Sequence, residues 1–581
     1  MRQFLKFTLA SLFAILLSFV VLFFFIAALA SSGEKETKIK DHSILKMKLN
    51  SDIHERSSNN PFENLNFLTG EIDKSTGLND ILEAIETAKT DDRIDGIYLD
   101  ISYIPAGIGT VTEIREALLD FKESGKFIYC YSEFYLQKTY YLASVADRVF
   151  MNPEGSLDLR GLYAELTFLK NTFEKIGVEP QIIRHGKFKS AIEPLINTEM
   201  SDANREQMLT YLQSVWDEII SDISESRNIS TDELNRIADE VLSRDAEDAL
   251  ALGLIDALAY KDEVLDSLCS LTGLADHNDI SVTTIDELAG LSSGKYSSDK
   301  IAVIYAQGEI GGGNGDEYSI GSERISKAIR KAREDEKIKA IVLRVNSPGG
   351  GSLASDVIWR EIMLAKEVKP VIASMSDVAA SGGYYISCAA DVILANRNTI
   401  TGSIGVFGVY MNARELMEDK LGLRFDGVGT NEHAGFPSGN RSLTEFEYAI
   451  IQESVEDVYS AFISRVADGR GMTIAEVDSI GQGRIWTGVD ALELGLIDEI
   501  GGLHRAIELA AEMADLEEYR VYELPEQKDP IEELLSEFGM QTKTKWVKQE
   551  LGPLYPYFEQ MKKLENLQGI QTRMEYDLQI D

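Results

Sequence analysis

Two long stretches of this chain carry the same alternation of apolar runs and amphipathic segments. Ile301-Ala302-Val303-Ile304-Tyr305 is a near-continuous apolar run, the pattern of a strand covered on both faces. Strands are predicted over 43–49, 94–101 and 127–131, and again over 300–307, 340–345 and 371–375, with helical periodicity between them. Strands alternating with helices predict an α/β fold with right-handed crossovers and parallel sheets. The two series are in phase. Residues 79–147 align without a gap onto 323–391, pairing Ile94 with Ile338, Leu99 with Leu343, Tyr140-Tyr141 with Tyr384-Tyr385 and Asp147 with Asp391; roughly a quarter of the positions are identical, the mark of an internal repeat. A helical pattern follows each repeat, over 206–274 with a capping start at Ser230-Thr231-Asp232-Glu233, and over 442–465. The glycine cluster 311–315 reads as a mobile loop.

The repeats differ where chemistry would sit. The second carries Asn346-Ser347-Pro348-Gly349-Gly350-Gly351 and Ala379-Ala380-Ser381-Gly382-Gly383, whereas the first reads Ser102-Tyr103-Ile104-Pro105-Ala106-Gly107 and Tyr135-Leu136-Gln137-Lys138-Thr139 at those places. Conversely, the first has a lysine-rich turn, Gly186-Lys187-Phe188-Lys189-Ser190, while the second has no lysine between Lys420 and Lys528. Each copy holds what the other lacks.

Glycines after a buried strand let backbone N–H groups approach a bound group closely, although such a turn is equally a way to join strand and helix. A serine at a helix start is most often only a cap. The joint presence of both turns in one repeat, and their joint loss in the other, favours a functional reading of Ser381. A serine nucleophile needs a base. Six histidines are present, His42, His54, His185, His277, His433 and His504, and none has an acid at recognisable spacing, though His185 and His433 fall in corresponding regions of the repeats. Lysine is the other choice, and an amine with an ordinary pKa of about 10.4 must be buried beside the hydroxyl to reach about 7 to 8. A single lysine is ordinarily a solvated surface charge, but Lys189 has the apolar and small neighbours that burial demands.

Composition narrows the classes. With 581 residues and a 44% apolar fraction the chain is long enough for about two to four domains with full cores. A net charge of −39 argues against nucleic acid, which needs clustered Lys and Arg. After Arg2 and Lys6, residues 7–30 hold no charge, longer than a cleavable signal and long enough to span a bilayer. The basic end then stays in the cytoplasm and the acidic remainder is exported, with Ala28-Leu29-Ala30 as a small-residue cleavage pattern that allows a processed form. Only Cys130, Cys269 and Cys388 are present, without metal-ligand spacing, so neither disulfides nor a metal is expected to hold this fold.

The motifs Gly-Lys-Phe-Lys-Ser-Ala-Ile-Glu-Pro at 186–194, Asn-Ser-Pro-Gly-Gly-Gly at 346–351, Ala-Ala-Ser-Gly-Gly-Tyr-Tyr at 379–385 and Thr-Gly-Ser-Ile-Gly at 401–405 together resemble the long, tandem-repeat form of the bacterial signal peptide peptidase A family. The resemblance runs from the N-terminus to about residue 525. It implies a Clp protease/crotonase-like fold and a cofactor-free serine peptidase with a Ser/Lys dyad: Ser381 as nucleophile, Lys189 as general base, Ser403 orienting the lysine, and the Gly350 and Gly382 N–H groups as oxyanion hole. Lys187 points the other way on an extended segment, so the family pattern selects Lys189. The resemblance also implies a homotetramer at the extracytoplasmic side of the inner membrane that degrades signal-peptide remnants. The implied organisation is an anchor over 1–30, a tether over 31–42, a repeat over 43–290 that supplies the lysine, a repeat over 291–525 that supplies the serine and glycines, and a tail over 526–581. The tail is amphipathic and either packs on a neighbouring subunit or faces the membrane. Two other classes remain open: a non-catalytic membrane scaffold, and an acyl-CoA hydratase or isomerase whose glycine turns would stabilise an enolate.

Overall fold

A computed structural model describes residues 39–59, 75–274, 280–292, 297–527 and 569–574, with a few helical positions between 6 and 18. The expected membrane span over 7–30 lies largely outside the described residues, and among those described no helix is long and apolar enough to cross a membrane.

Each repeat builds its own parallel sheet. In the first, Ser43–Met47 lies between Ser281–Thr283 and Ile94–Asp100, followed outward by Phe127–Ser132, Arg148–Met151 and Ala257–Leu258, every pair parallel. In the second, Lys300–Gln307 lies between Arg520–Leu524 and Ile338–Ser347, with Val371–Ala380 beyond it, again parallel. These strands are apolar on both faces because helices cover both, as parallel sheets require. The repeat extends to individual hydrogen bonds. Asp147 accepts from the Ile128 N–H at 2.8 Å and Asp391 from the Val371 N–H at 2.9 Å; Tyr140 donates to the Leu254 carbonyl and Tyr384 to that of Leu496, both at 2.7 Å.

The helical runs break where the caps are. Ser201 and Ser230 cap the helices Asp202–Arg227 and Thr231–Asp239, and Thr444 closes a capping box with Glu447 at the start of Glu445–Arg470. The glycine cluster is not wholly loop: Glu309–Gly311 is a short strand paired with Ser319–Gly321 and with Gly350.

Two of the features that join the repeats position the site. Arg344, fully buried in the second sheet, donates to Glu55 and Glu113 of the first repeat at 2.7 Å each, and to Ser374 and Ser376 at 2.8 and 3.0 Å. Burial pulls this guanidinium down, but the two carboxylates outweigh that and hold it above its ordinary range. The second feature is a third sheet, ordered Ser319–Gly321, Glu309–Gly311, Gly349–Gly351, Gly569–Arg573, Val406–Asn412 and Glu179–His185. Its last strand comes from the first repeat, and its fourth from the end of the chain.

Candidate active site

The third sheet brings the lysine to the serine. Glu179–His185 pairs antiparallel with Val406–Asn412, from Val406 opposite His185 to Asn412 opposite Glu179. Residues 186–189 continue from that strand and therefore lie beside 403–405, just before its partner. Gly186 makes the turn at φ 110°, where an added Cβ would stand 2.5 Å from the Gln482 carbonyl oxygen. The Phe188 N–H then bonds that carbonyl at 2.9 Å. Behind the lysine, Ser190 donates to Asn204 at 3.0 Å, and Gln207 bonds the Phe188 carbonyl at 3.0 Å and the Ser190 hydroxyl at 2.6 Å, which fixes the segment from the helix Asp202–Arg227.

Lys189 is wholly buried. Its Nζ lies 3.0 Å from Ser381 Oγ, 2.8 Å from Ser403 Oγ and 3.1 Å from the Ser403 carbonyl oxygen. Ser381 and Ser403 are also fully buried, and both sit at positive φ, 55° and 48°. Such backbone geometry costs a non-glycine residue about 1–3 kcal/mol and is held only where the surroundings impose it. Here the Ser381 N–H bonds the Gly402 carbonyl at 2.8 Å and the Ser403 N–H that of Arg484 at 2.7 Å. Ser381 precedes the helix Gly382–Ser387 but makes no side-chain cap bond, which leaves its hydroxyl to the lysine.

The two glycine turns meet at the same point. Gly349 has φ 97°, and a Cβ there would stand 2.7 Å from the Gly382 nitrogen; one on Gly350 would stand 2.1 Å from the Ile310 carbonyl oxygen. Both turns are pinned from the first repeat. Asn346 donates to Glu55 at 2.7 Å and accepts from the Val378 N–H at 3.3 Å, while Asp377 accepts from the Thr110 N–H and hydroxyl at 2.7 Å each. Burial pushes the Asp377 carboxyl up, against the pull of the Thr110 hydrogen bonds.

The structure thus gathers all five sequence-predicted residues, Lys189, Ser381, Ser403, Gly350 and Gly382, around one point. The other bases lie elsewhere: Lys187 is exposed with its Nζ over the Phe188 ring, His185 bonds Glu456 at 2.6 Å and stacks on Tyr459, and His433 packs on Phe446.

The model of Peptidase family S49 matches residues 120–275 and 363–517, one segment in each repeat. The chain belongs to peptidase family S49. Protease 4 of Haemophilus influenzae is 34% identical over 521 residues, spanning 86% of this chain and 84% of its own. The chloroplastic serine protease SPPA of Arabidopsis thaliana is 35% identical across 82% of this chain and 70% of its own. A putative signal peptide peptidase SppA of Enterococcus faecium is 35% identical across 42% of this chain and 70% of its own. This S49 chain is a serine peptidase, so the hydratase and scaffold alternatives fall away.

Sequence reasoning missed three parts of this arrangement. Arg344, Glu55 and Glu113 read as ordinary charges, because nothing local in the sequence says that they meet. Ser347, whose hydroxyl accepts from the Gly349 N–H at 3.1 Å, is hidden inside the first glycine motif. The strand Gly569–Arg573 lies in the segment read as a tail, yet it pairs with Gly349–Gly351 and with Val406–Asn412 inside this chain. Its alternation over five residues is too short to be told from an irregular segment.

Proposed function

We propose that this S49 peptidase is a membrane-anchored endopeptidase that cleaves hydrophobic peptides, remnant signal peptides among them, through an acyl-enzyme formed by a Ser/Lys dyad. The observation that carries the reading is the 3.0 Å contact between the buried Lys189 amine and the Ser381 hydroxyl. Enclosure strips water from the amine and disfavours its ammonium form, so a neutral lysine takes the Ser381 proton as Oγ attacks the scissile carbonyl. Ser403 holds the amine on line through its hydroxyl and carbonyl. The Gly350 and Gly382 N–H groups receive the oxyanion. Lys189 returns the proton to the leaving amine, and water then hydrolyses the Ser381 ester with the same lysine as base.

The anchor is the uncharged run 7–30, with the basic tip in the cytoplasm and the site on the extracytoplasmic side of the inner membrane. The doubled S49 unit is read as a Clp protease/crotonase-like fold. A homotetramer is the proposed assembly, and the exposed Leu421, Leu423, Phe425 and Val428 between 413 and 443 are apolar side chains that such contacts would cover. The Enterococcus faecium relative is named a putative signal peptide peptidase, and hydrophobic signal peptides, their remnants included, suit a membrane enzyme. The test is hydrolysis of a hydrophobic peptide ester by detergent-solubilised protein. The reading expects turnover and fluorophosphonate labelling that Ser381→Ala abolishes; labelling at another residue would overturn it.

A further inference from the structure

The turn Gly481-Gln482-Gly483-Arg484 carries none of the reacting groups, yet it packs directly on Lys189. It lies between the two segments that must stay in register. On one side the Gln482 carbonyl accepts the Phe188 N–H at 2.9 Å; on the other the Gly483 N–H donates to the Ile404 carbonyl at 2.8 Å, and the Arg484 carbonyl accepts the Ser403 N–H at 2.7 Å. The approach leaves no room for side chains. A Cβ on Gly483, at φ 81°, would stand 2.6 Å from both the nitrogen and the Cβ of Lys189. One on Gly405 would stand 2.7 Å from Gly483 Cα and 3.2 Å from Lys189 Cδ, so the stem of the lysine packs against two glycines.

One side chain holds this turn in place. The Arg484 guanidinium lies over two rings, 4.8 Å from the centre of Phe188 and 4.7 Å from that of Trp486. A planar cation is drawn to aromatic faces and lies flat on them, which an ammonium cannot do. Trp486 is fixed in turn by its indole N–H, which donates to the Ile480 carbonyl at 3.0 Å, and by pairing with Thr401. Glu206, on the helix Asp202–Arg227, reaches Arg484 Nη1 at 3.4 Å. Phe188 precedes the base and Thr401 lies two residues before Ser403, so one cation ties together the segments that carry Lys189 and Ser403. The other charged groups on the elements packed around Lys189 have their own surroundings. Arg184 donates to the Lys189 carbonyl at 3.3 Å and lies 4.0 Å from Glu193, His185 bonds Glu456, and Asp478 accepts from Tyr459 and Gln482; Lys187, Asp202, Arg205 and Glu476 are exposed.

We propose that Arg484 is a positioning residue for the general base: laid across Phe188 and Trp486, it clamps the turn Gly481–Arg484 over Lys189, which keeps the amine in register with Ser381 and Ser403 and keeps water from it. This rests on the dyad reading above. An amine is a base only in its uncharged form, and water admitted to it favours the ammonium. The positive charge of Arg484 works in the same direction, since a neighbouring cation disfavours a second one. Loosening the clamp therefore acts on the protonation of the base rather than on peptide binding, and its effect is largest at low pH.

The test is the pH profile of kcat/KM for the full chain in detergent, with a hydrophobic peptide ester as substrate. Arg484→Ala is expected to move the acid limb up by about one pH unit, so that below both limbs its kcat/KM is about tenfold under wild type and above both the two converge. KM should stay within about twofold of wild type. Arg484→Lys, which keeps the charge but not the plane, and Phe188→Leu, which removes one ring, should move the limb less and in the same direction; they decide the matter if the alanine variant fails to fold. An acid limb unmoved in all three variants would overturn the proposal. So would a raised KM at unchanged kcat, since Arg484 would then be a substrate contact. Lys189→Ala separates the two readings: activity retained there faults the dyad, whereas an inactive Lys189→Ala beside an unmoved limb in the other variants faults the clamp alone.

Discussion

Lys189 Nζ and Ser381 Oγ lie 3.0 Å apart although 192 positions separate them in the chain. Neither repeat holds both groups, so the contact exists only when the strand Glu179–His185 crosses to pair with Val406–Asn412. On the dyad reading, Ser381→Ala and Lys189→Ala are each expected to lower kcat/KM by about 10³-fold or more, and the double variant little further. Steady-state kinetics on the three proteins, with circular dichroism to show that they fold, checks this.

Lys189 Nζ donates to Ser403 Oγ at 2.8 Å, a bond that holds the amine toward Ser381. Removing a hydrogen bond to an ionisable group costs about 1.5–3 kcal/mol, which corresponds to roughly 10–100-fold in rate. Ser403→Ala should lower kcat by that factor and leave KM nearly unchanged, with Ser403→Thr recovering part of the loss. A large rise in KM would assign the residue to binding instead.

Gly350 admits no side chain: a Cβ there would stand 2.1 Å from the Ile310 carbonyl oxygen and 2.8 Å from its carbon. Gly350→Ala must push the glycine strand away from Glu309–Gly311 and re-aim its N–H. The loss of one oxyanion donor costs about 10²–10³ in kcat. Hydrolysis is expected to fall by that amount while fluorophosphonate still reacts slowly with Ser381; full activity in the variant would remove this N–H from the mechanism.

Arg344 neutralises two carboxylates from the other repeat, and all three groups are almost wholly out of water. Removing one partner of a buried ionic cluster leaves uncompensated charge and costs about 3–5 kcal/mol. Arg344→Met should lower the melting temperature sharply, and Arg344→Lys should restore little, because one ammonium cannot span Glu55, Glu113 and both serines. Substituting Glu55 and Glu113 by Gln in the Met background should recover stability. Thermal melts of the set decide it.

Burial pushes the thiols of Cys130 and Cys388 up to about 12, which leaves almost no thiolate near neutral pH. Alkylating reagent at pH 8 is expected to leave both untouched in the folded protein and to modify both in guanidinium. Rapid modification of either in the native state would show that its core opens on the timescale of the reaction.

The sequence by itself determined the α/β class and the duplicated unit, and its motifs singled out the residues proposed to react. Period and apolar run length are local properties, and a repeat can be read by setting the chain against itself. It could also single out Lys189 over Lys187, because a motif fixes position within a segment. Tertiary structure alone decided that the lysine of one repeat reaches the serine of the other, that Arg344 meets Glu55 and Glu113, and that Gly569–Arg573 pairs with Gly349–Gly351 and Val406–Asn412. These depend on strand pairing and ion pairing across hundreds of residues. A backbone edge offers the same N–H and C=O groups whatever its side chains are, so no residue in Gly569–Arg573 announces which edges it will join. The glycines of 349–351 could be read as a close approach of backbone to something; only the fold showed that Gly569–Arg573 is one of the strands they approach.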